Sequence, residues 1–296
     1  MMSGMRFRVM SVFLFLVSMP MVAQDMTAAD VLAKVRQRYP AALPAGTVDT
    51  VKVGDPATKV TGIATTFLDT LDVLREASRH GLNLVITHEP TFYNHLDATT
   101  LFANDPVYKE KLAFIEEHHM VVFRLHDAIH MVPPDTIAMG LIDRLAWRPY
   151  LRKADDPFFL TIPPVTLGAL AKELQRKLGA GTMRVVGDPS LVVTKVGMRP
   201  GAAGLAKQVS MLERDDVEVL IAGEASEWET VEYARDATAE GRKKALILLG
   251  HEPSEEDGME QCARDLRAVF PGVKVEHIVA GNAMWTPEHP VAVRKP

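Results

Sequence analysis

The sequence predicts an α/β protein of two similar lobes, each a largely parallel sheet flanked by helices. Three observations carry this expectation. Short β-branched runs alternate with helical patterns along most of the chain. A stretch rich in Pro, Asp and Lys, from Tyr150 to Pro164, interrupts the alternation near its middle and reads as a connection between lobes. With 296 residues, 47% of them hydrophobic, the chain has enough apolar side chain for a sizeable core.

Taken in order, residues 1–24 read as a secretory leader. Arg6 and Arg8 form a basic start, Val9 to Val22 is apolar but too short for a comfortable membrane span, and small residues lead to Ala23-Gln24-Asp25. A secreted or periplasmic protein without a stable membrane anchor is the resulting expectation. The first lobe is expected over 25–150. It opens with a short helix around Ala28 to Arg38, then a strand over Val60 to Phe67. Asp69 offers a cap to a helix in which Leu71, Val73, Leu74 and Ala77 keep helical spacing. Leu82 to Thr87 is a buried-strand run. Asp105-Pro106 starts a helix with proline at its first position, and Met120 to Leu125 is the next strand. Pro133, Pro134 and Asp135 lead into a helix ending near Trp147.

The second lobe is expected over 165–282. Leu167, Leu170, Leu174 and Leu178 mark a helix. Leu191 to Met198, Val217 to Ala222, Ala245 to Leu249 and Val273 to Val279 read as strands, with helices at Glu227 to Glu240 and Glu255 to Val269.

Composition excludes several classes. A net charge of −5 leaves no electrostatic footprint for nucleic acid. The only cysteine, Cys262, excludes an internal disulfide framework and any zinc site built from several cysteines.

The ten histidines are more informative. Open α/β sheets gather their sites just beyond the carboxyl ends of strands. His88 and Glu89 follow one predicted strand and His126 and His130 another. Gly223 and Glu224 follow a third, and Gly250 and His251 a fourth, with Glu255 four residues on. The four-residue spacings put His126 with His130, and His251 with Glu255, on one helix face each. A single strand-end histidine is ordinarily a satisfied core or surface residue; several, with carboxylates, at four strand ends point to a metal site in the cleft between the lobes. Nitrogen and oxygen donors without sulfur suit zinc, iron or manganese, and two divalent ions bridged by a carboxylate would use five such side chains. His80, His118 and His119 sit at helix ends and match the dipole there; His277 and His289 read as surface residues.

Four segments in order also resemble the Nif-three-like dinuclear metal-binding proteins, the GTP cyclohydrolase 1 type 2 homologs. They are Leu84-Val85-Ile86-Thr87-His88-Glu89-Pro90, His126-Asp127-Ala128-Ile129-His130, Ala222-Gly223-Glu224-Ala225-Ser226-Glu227 and Gly250-His251-Glu252-Pro253-Ser254-Glu255. The resemblance implies the metal ligands His88, Glu89, His130, His251 and Glu255. Two depart from the family pattern: Glu89 stands where the family has histidine, and His130 where it has aspartate. The changes are reciprocal, so three histidines and two carboxylates remain and the ligand charge is kept. His126 and Asp127 are expected behind the ligands, and Glu224 as a catalytic general base. The resemblance further implies a homo-oligomer, often a hexameric ring.

The function expected from these residues is metal-dependent hydrolysis of a small phosphoester, cyclic amide or nucleotide-like substrate. The competing readings are a metal carrier without turnover and a GTP cyclohydrolase-type ring opening. Met198 to Gly204, between a strand and a helix, is a candidate phosphate loop whose glycine spacing fits a plain turn better.

Overall fold

The computed structural model describes residues 26–287, so the expected leader lies outside the described residues. The first half runs α1 (Ala28–Arg38), β1 (Val51–Val53), β2 (Ile63–Thr66), α2 (Leu71–Arg79), β3 (Leu84–Thr87), α3 (Pro106–Glu117), β4 (Val121–Arg124), α4 (Asp127–Met131) and α5 (Thr136–Leu145). The second runs β5 (Leu151–Lys153), β6 (Asp156–Thr166), α6 (Leu167–Leu178), β7 (Arg184–Val186), β8 (Val192–Arg199), α7 (Leu205–Leu212), β9 (Val219–Ala222), α8 (Glu232–Ala239), β10 (Ala245–Leu248), α9 (His251–Val269) and β11 (Val275–His277).

Two helix-flanked sheets result, in the orders β1-β4-β3-β2-β11 and β5-β6-β8-β9-β10-β7. The first is parallel apart from β1. The second is parallel only at its centre, β8-β9-β10, with antiparallel edges. β2, β3, β4, β9 and β10 are buried at every position, as their largely apolar sequences require when both faces are covered. α1, α4 and α9 pack on one face of the first sheet and α2 and α3 on the other. α5 and α6 cover one face of the second sheet, α7 and α8 the other.

Two expectations are corrected. Tyr150 to Pro164 is not a linker: β5 and β6 pair antiparallel there and form an edge of the second sheet. The strand expected over Val273 to Val279 does not join the second lobe; β11 pairs parallel with β2 in the first sheet. The second sheet is therefore inserted into the chain of the first, and α9 carries the chain back. α5 is the joint: Ile137 belongs to the first core, while Met139, Leu141, Ile142 and Leu145 belong to the second. α5 and α9 cross at Gly140 and Gly258, where a Cβ on Gly140 would lie 2.5 Å from the Gly258 Cα. Only glycine permits that approach.

Capping residues follow the sequence with one exchange. Asp105 and Asp135 accept from Tyr108 N and Ala138 N. The cap of α2 is Thr70, not Asp69; Asp69 is wholly buried and binds Lys111. No described helix is long and apolar enough to cross a membrane.

Candidate metal centre

Three strand ends bring the donors together. β3 ends into His88 and Glu89, β4 into His126 and α4, and β10 into Gly250 and the first turns of α9. α9 begins at His251, four residues earlier than its expected start at Glu255, so His251 and Glu255 share a helix face. Gly250 makes this turn with φ of 98°, a conformation that favours glycine.

Two carboxylates stand among four imidazoles. Glu255 Oε2 lies 3.0 Å from His251 Nε2 and 3.4 Å from His88 Nε2, and Oε1 lies 4.0 Å from His130 Nε2. Glu89 Oε1 lies 3.5 Å from His251 Nε2 and 3.6 Å from His126 Nε2. Two sets have donor atoms close enough to hold a metal ion: His88, His126 and His130, and His88, Glu89 and Glu255. His88 appears in both, but its single Nε2 can serve only one ion.

Three of the four rings are fixed from behind. His88 Nδ1 donates to the Leu125 carbonyl at 3.1 Å. A carbonyl only accepts, so in the neutral ring the proton is on Nδ1 and the Nε2 lone pair faces the cluster. That Nε2 is buried without a hydrogen-bond partner among the described residues, as an atom awaiting an ion should be. His130 Nδ1 pairs with Asp135 Oδ2 and His126 Nδ1 with Asp127 Oδ1, each at 2.9 Å. Asp127 Oδ2 in turn accepts from the Thr47 hydroxyl at 2.7 Å. Carboxylates and carbonyls behind histidines are the usual supports of a metal site. The donor chemistry and the orphaned nitrogen thus fit a metal ion.

The electrostatics reflect the same crowding of acids and imidazoles. Burial opposes charge on His251, but hydrogen bonds to Glu255 and Glu89 and their charges outweigh it and raise its pKa to about 10. Burial likewise opposes ionised Glu255, yet His251 and His88 hold its carboxyl below the usual range. Glu89 is lowered in the same way, burial being outweighed by His251, His88 and His126. His126 goes the other way: burial, then the like charge of His88, lowers it to about 4.

The structure brings all five expected ligands, His88, Glu89, His130, His251 and Glu255, to one place. It also brings His126 as near to Glu89 as His251 is, so His126 faces the cluster and does not stand behind it. Asp127 stands behind His126. Glu224 lies 3.7 Å from His251 Nδ1, on the side away from the other donors, with its side chain 56% exposed. His277, expected at the surface, is largely buried against Glu256 at 2.9 Å. Two supporting residues escaped the sequence reading. Asp135 caps α5 and also holds His130, and only the capping signal was visible. Arg124 is fully buried and binds the His88 and His95 carbonyls and, at 3.2 Å, Glu89 Oε2. An arginine closing an otherwise apolar strand run was its one signal.

A cavity of about 560 Å³ opens onto the cluster. Glu89, His126, His130, His251 and Glu255 line it from one side; Phe158, Arg199 and Lys207 line it from the second sheet.

Similar folds occur among solved structures. A Staphylococcus aureus hypothetical protein, SA1388, is 16% identical with a TM-score of 0.68, covering 90% of this chain and 99% of that one. A protein ybgI of unknown function is 20% identical with a TM-score of 0.69, covering 88% and 100%. A Bacillus cereus protein related to NIF3 is 13% identical with a TM-score of 0.67, covering 90% and 99%. At these identities the likeness is one of fold. No curated protein matches the chain. The model of the Duf34/NIF3 (NGG1p interacting factor 3) family matches residues 26–283, nearly the whole described chain, and the protein belongs to that family.

Proposed function

We propose that the protein is an exported metal-dependent hydrolase of small molecules that holds two divalent ions, zinc, iron or manganese. The observation that carries this reading is the convergence of four histidines, three of them held from behind, on two carboxylates beside an open cavity. His88, His126, His130, His251, Glu89 and Glu255 would hold the ions. Ions bound there would polarise a carbonyl or phosphoryl oxygen and make water a better nucleophile near neutral pH.

The chain's own groups do the rest. Arg124 fixes Glu89, so the carboxylate replacing the family histidine is held in place. Asp127 and Asp135 keep protons on Nδ1 of His126 and His130 and so present Nε2 to the cluster. Glu224, at the rim beside His251 Nδ1, is the group placed to accept a proton there and pass it to solvent. The oligomer implied by the family resemblance is part of the same proposal.

Metal analysis of the purified protein, followed by assay on phosphoester and cyclic-amide panels, tests the reading. It expects close to two ions per chain and turnover that chelation abolishes. Retained metal without turnover on any panel would remove the hydrolase and leave a binding protein. Export is tested by N-terminal sequencing, which should begin near Gln24 or Asp25.

A further inference from the structure

Arg199 is the last residue of β8, at the carboxyl end of a central parallel strand, in register with Ala222 of β9. Its guanidinium lies over the Phe158 ring at 4.3 Å, and both side chains line the cavity that holds the metal centre. Its Nε is buried and has no hydrogen-bond partner among the described residues. The carboxylates that act on it, Asp156 and Asp135, do so through space. Both are committed elsewhere: Asp156 accepts from Phe158 N at 3.0 Å, and Asp135 holds His130 and caps α5. An arginine over an aromatic ring, partly desolvated and without a hydrogen-bonded carboxylate among the described residues, keeps its planar donor fork free.

The following loop fixes where that fork stands. Gly201 adopts φ of 64°, and a Cβ there would overlap Glu255 Oε1, so the backbone runs directly against a carboxylate of the metal centre. Gly201 N donates to Ser254 Oγ at 2.9 Å and Gly201 O accepts from Glu224 N at 3.1 Å, tying the loop to α9 and to the end of β9. Lys207, exposed in the first turn of α7, adds a second cation to the same cavity wall.

We propose that Arg199, assisted by Lys207, binds an oxyanion, the phosphate or carboxylate group of a small molecule whose other end reaches the metal centre. The naming of that molecule as a substrate rests on the hydrolase reading above; the anion site itself does not. Arg199 supplies two parallel N–H donors to one anionic group, and Lys207 adds a mobile charge at the rim. The Phe158 ring backs the guanidinium.

The test is titration of the protein with methylphosphonate and with acetate, neither of which can be hydrolysed. It is run on chelator-treated and on zinc-loaded protein, with metal content measured alongside. Arg199→Gln, Arg199→Lys and Lys207→Gln are compared with the parent. The proposal expects methylphosphonate or acetate to bind both forms and Arg199→Gln to weaken that binding about tenfold or more, with metal content unchanged. Arg199→Lys should recover part of the loss, because it restores charge but not the fork. Lys207→Gln, at an exposed position that leaves folding intact, should weaken binding by about two- to threefold. Tighter methylphosphonate identifies a phosphate and tighter acetate a carboxylate. If Arg199→Lys and Lys207→Gln both bind the two probes as the parent does, the proposal is overturned. If zinc-loaded protein shows no turnover on the phosphoester and cyclic-amide panels while chelator-treated protein still binds methylphosphonate or acetate through Arg199, the hydrolase reading fails and the anion site stands.

Discussion

Glu89 and Arg199 each stand at the carboxyl end of a parallel strand and face the same cavity, yet their surroundings are opposite. Glu89 follows a wholly buried strand and is locked by Arg124 and two histidines. Arg199 leads into a loop with two positive-φ glycines and has no ionic partner of that kind among the described residues. The first sheet and α9 supply a rigid set of donors whose charges satisfy one another. The second sheet contributes a cation with no hydrogen-bonded carboxylate among the described residues, only Asp156 and Asp135 acting through space. Holding an ion needs the first environment, because misplaced donors cost affinity; recognising a charged ligand needs the second, because the ligand must complete the pairing.

The largest break in this comparison should come from Glu255, which touches three histidines. Glu255→Gln is expected to lower metal affinity by more than about a hundredfold, read as metal content per chain after dialysis. A parent-like content would remove Glu255 from the centre.

Next is the exchanged pair. Glu89→His alone leaves a single carboxylate, and His130→Asp alone leaves a third; each should reduce or alter metal loading. The double variant should recover it non-additively, since both residues share one cluster. Additive losses in the double variant would mean that the two positions do not compensate each other.

A smaller effect is expected behind the donors. Asp135→Asn keeps a cap for Ala138 N but loses the charge on His130, and should cost about 10- to 100-fold in metal affinity. Unchanged affinity would show that His130 orients without it.

The smallest expected effect lies in the second sheet, away from the cavity. Burial would raise the Glu218 pKa, but the bond from Lys243 and the N–H groups of Thr194 and Lys195 outweigh it and lower it to about 2. Its folded pKa is thus depressed, so its stabilisation is full above the ordinary carboxylate pKa and fades as pH falls toward 2. Glu218→Gln should destabilise the protein by about 1–3 kcal/mol at pH 7 and by much less near pH 2. Denaturant unfolding at the two pH values measures this; a pH-independent loss would assign the effect to packing.

Much of this arrangement was legible in the sequence, for a physical reason. A strand buried on both faces is a largely apolar run, so a histidine just beyond its end is conspicuous; His88, His126 and His251 are all of this kind. The i, i+4 spacing of His251 and Glu255 also survives, because the helix geometry is local. What was hidden depends on partners far along the chain. Nothing local tells β11 to join β2, a pairing that sets His277 beside Thr65, 212 residues away. The edge role of β5 and β6 was hidden by prolines and charges that also suit a loop. Asp135 and Arg124 carry second duties that depend on side-chain direction, which residue spacing does not encode.

The chain leaves the first sheet through α5 and returns through α9, and these helices touch at Gly140 and Gly258. The two ends of the inserted sheet therefore meet at one place, as in a module spliced into a host. Such a module can be lengthened or exchanged at its far edges without moving the donors on β3, β4 and α9. Arg199 and Lys207 travel with the insert, whereas four of the six donors, His88, Glu89, His126 and His130, sit on the host frame before it and the other two, His251 and Glu255, on the helix that follows it. Across descendants of this architecture, what is recognised can diverge while what is held stays the same.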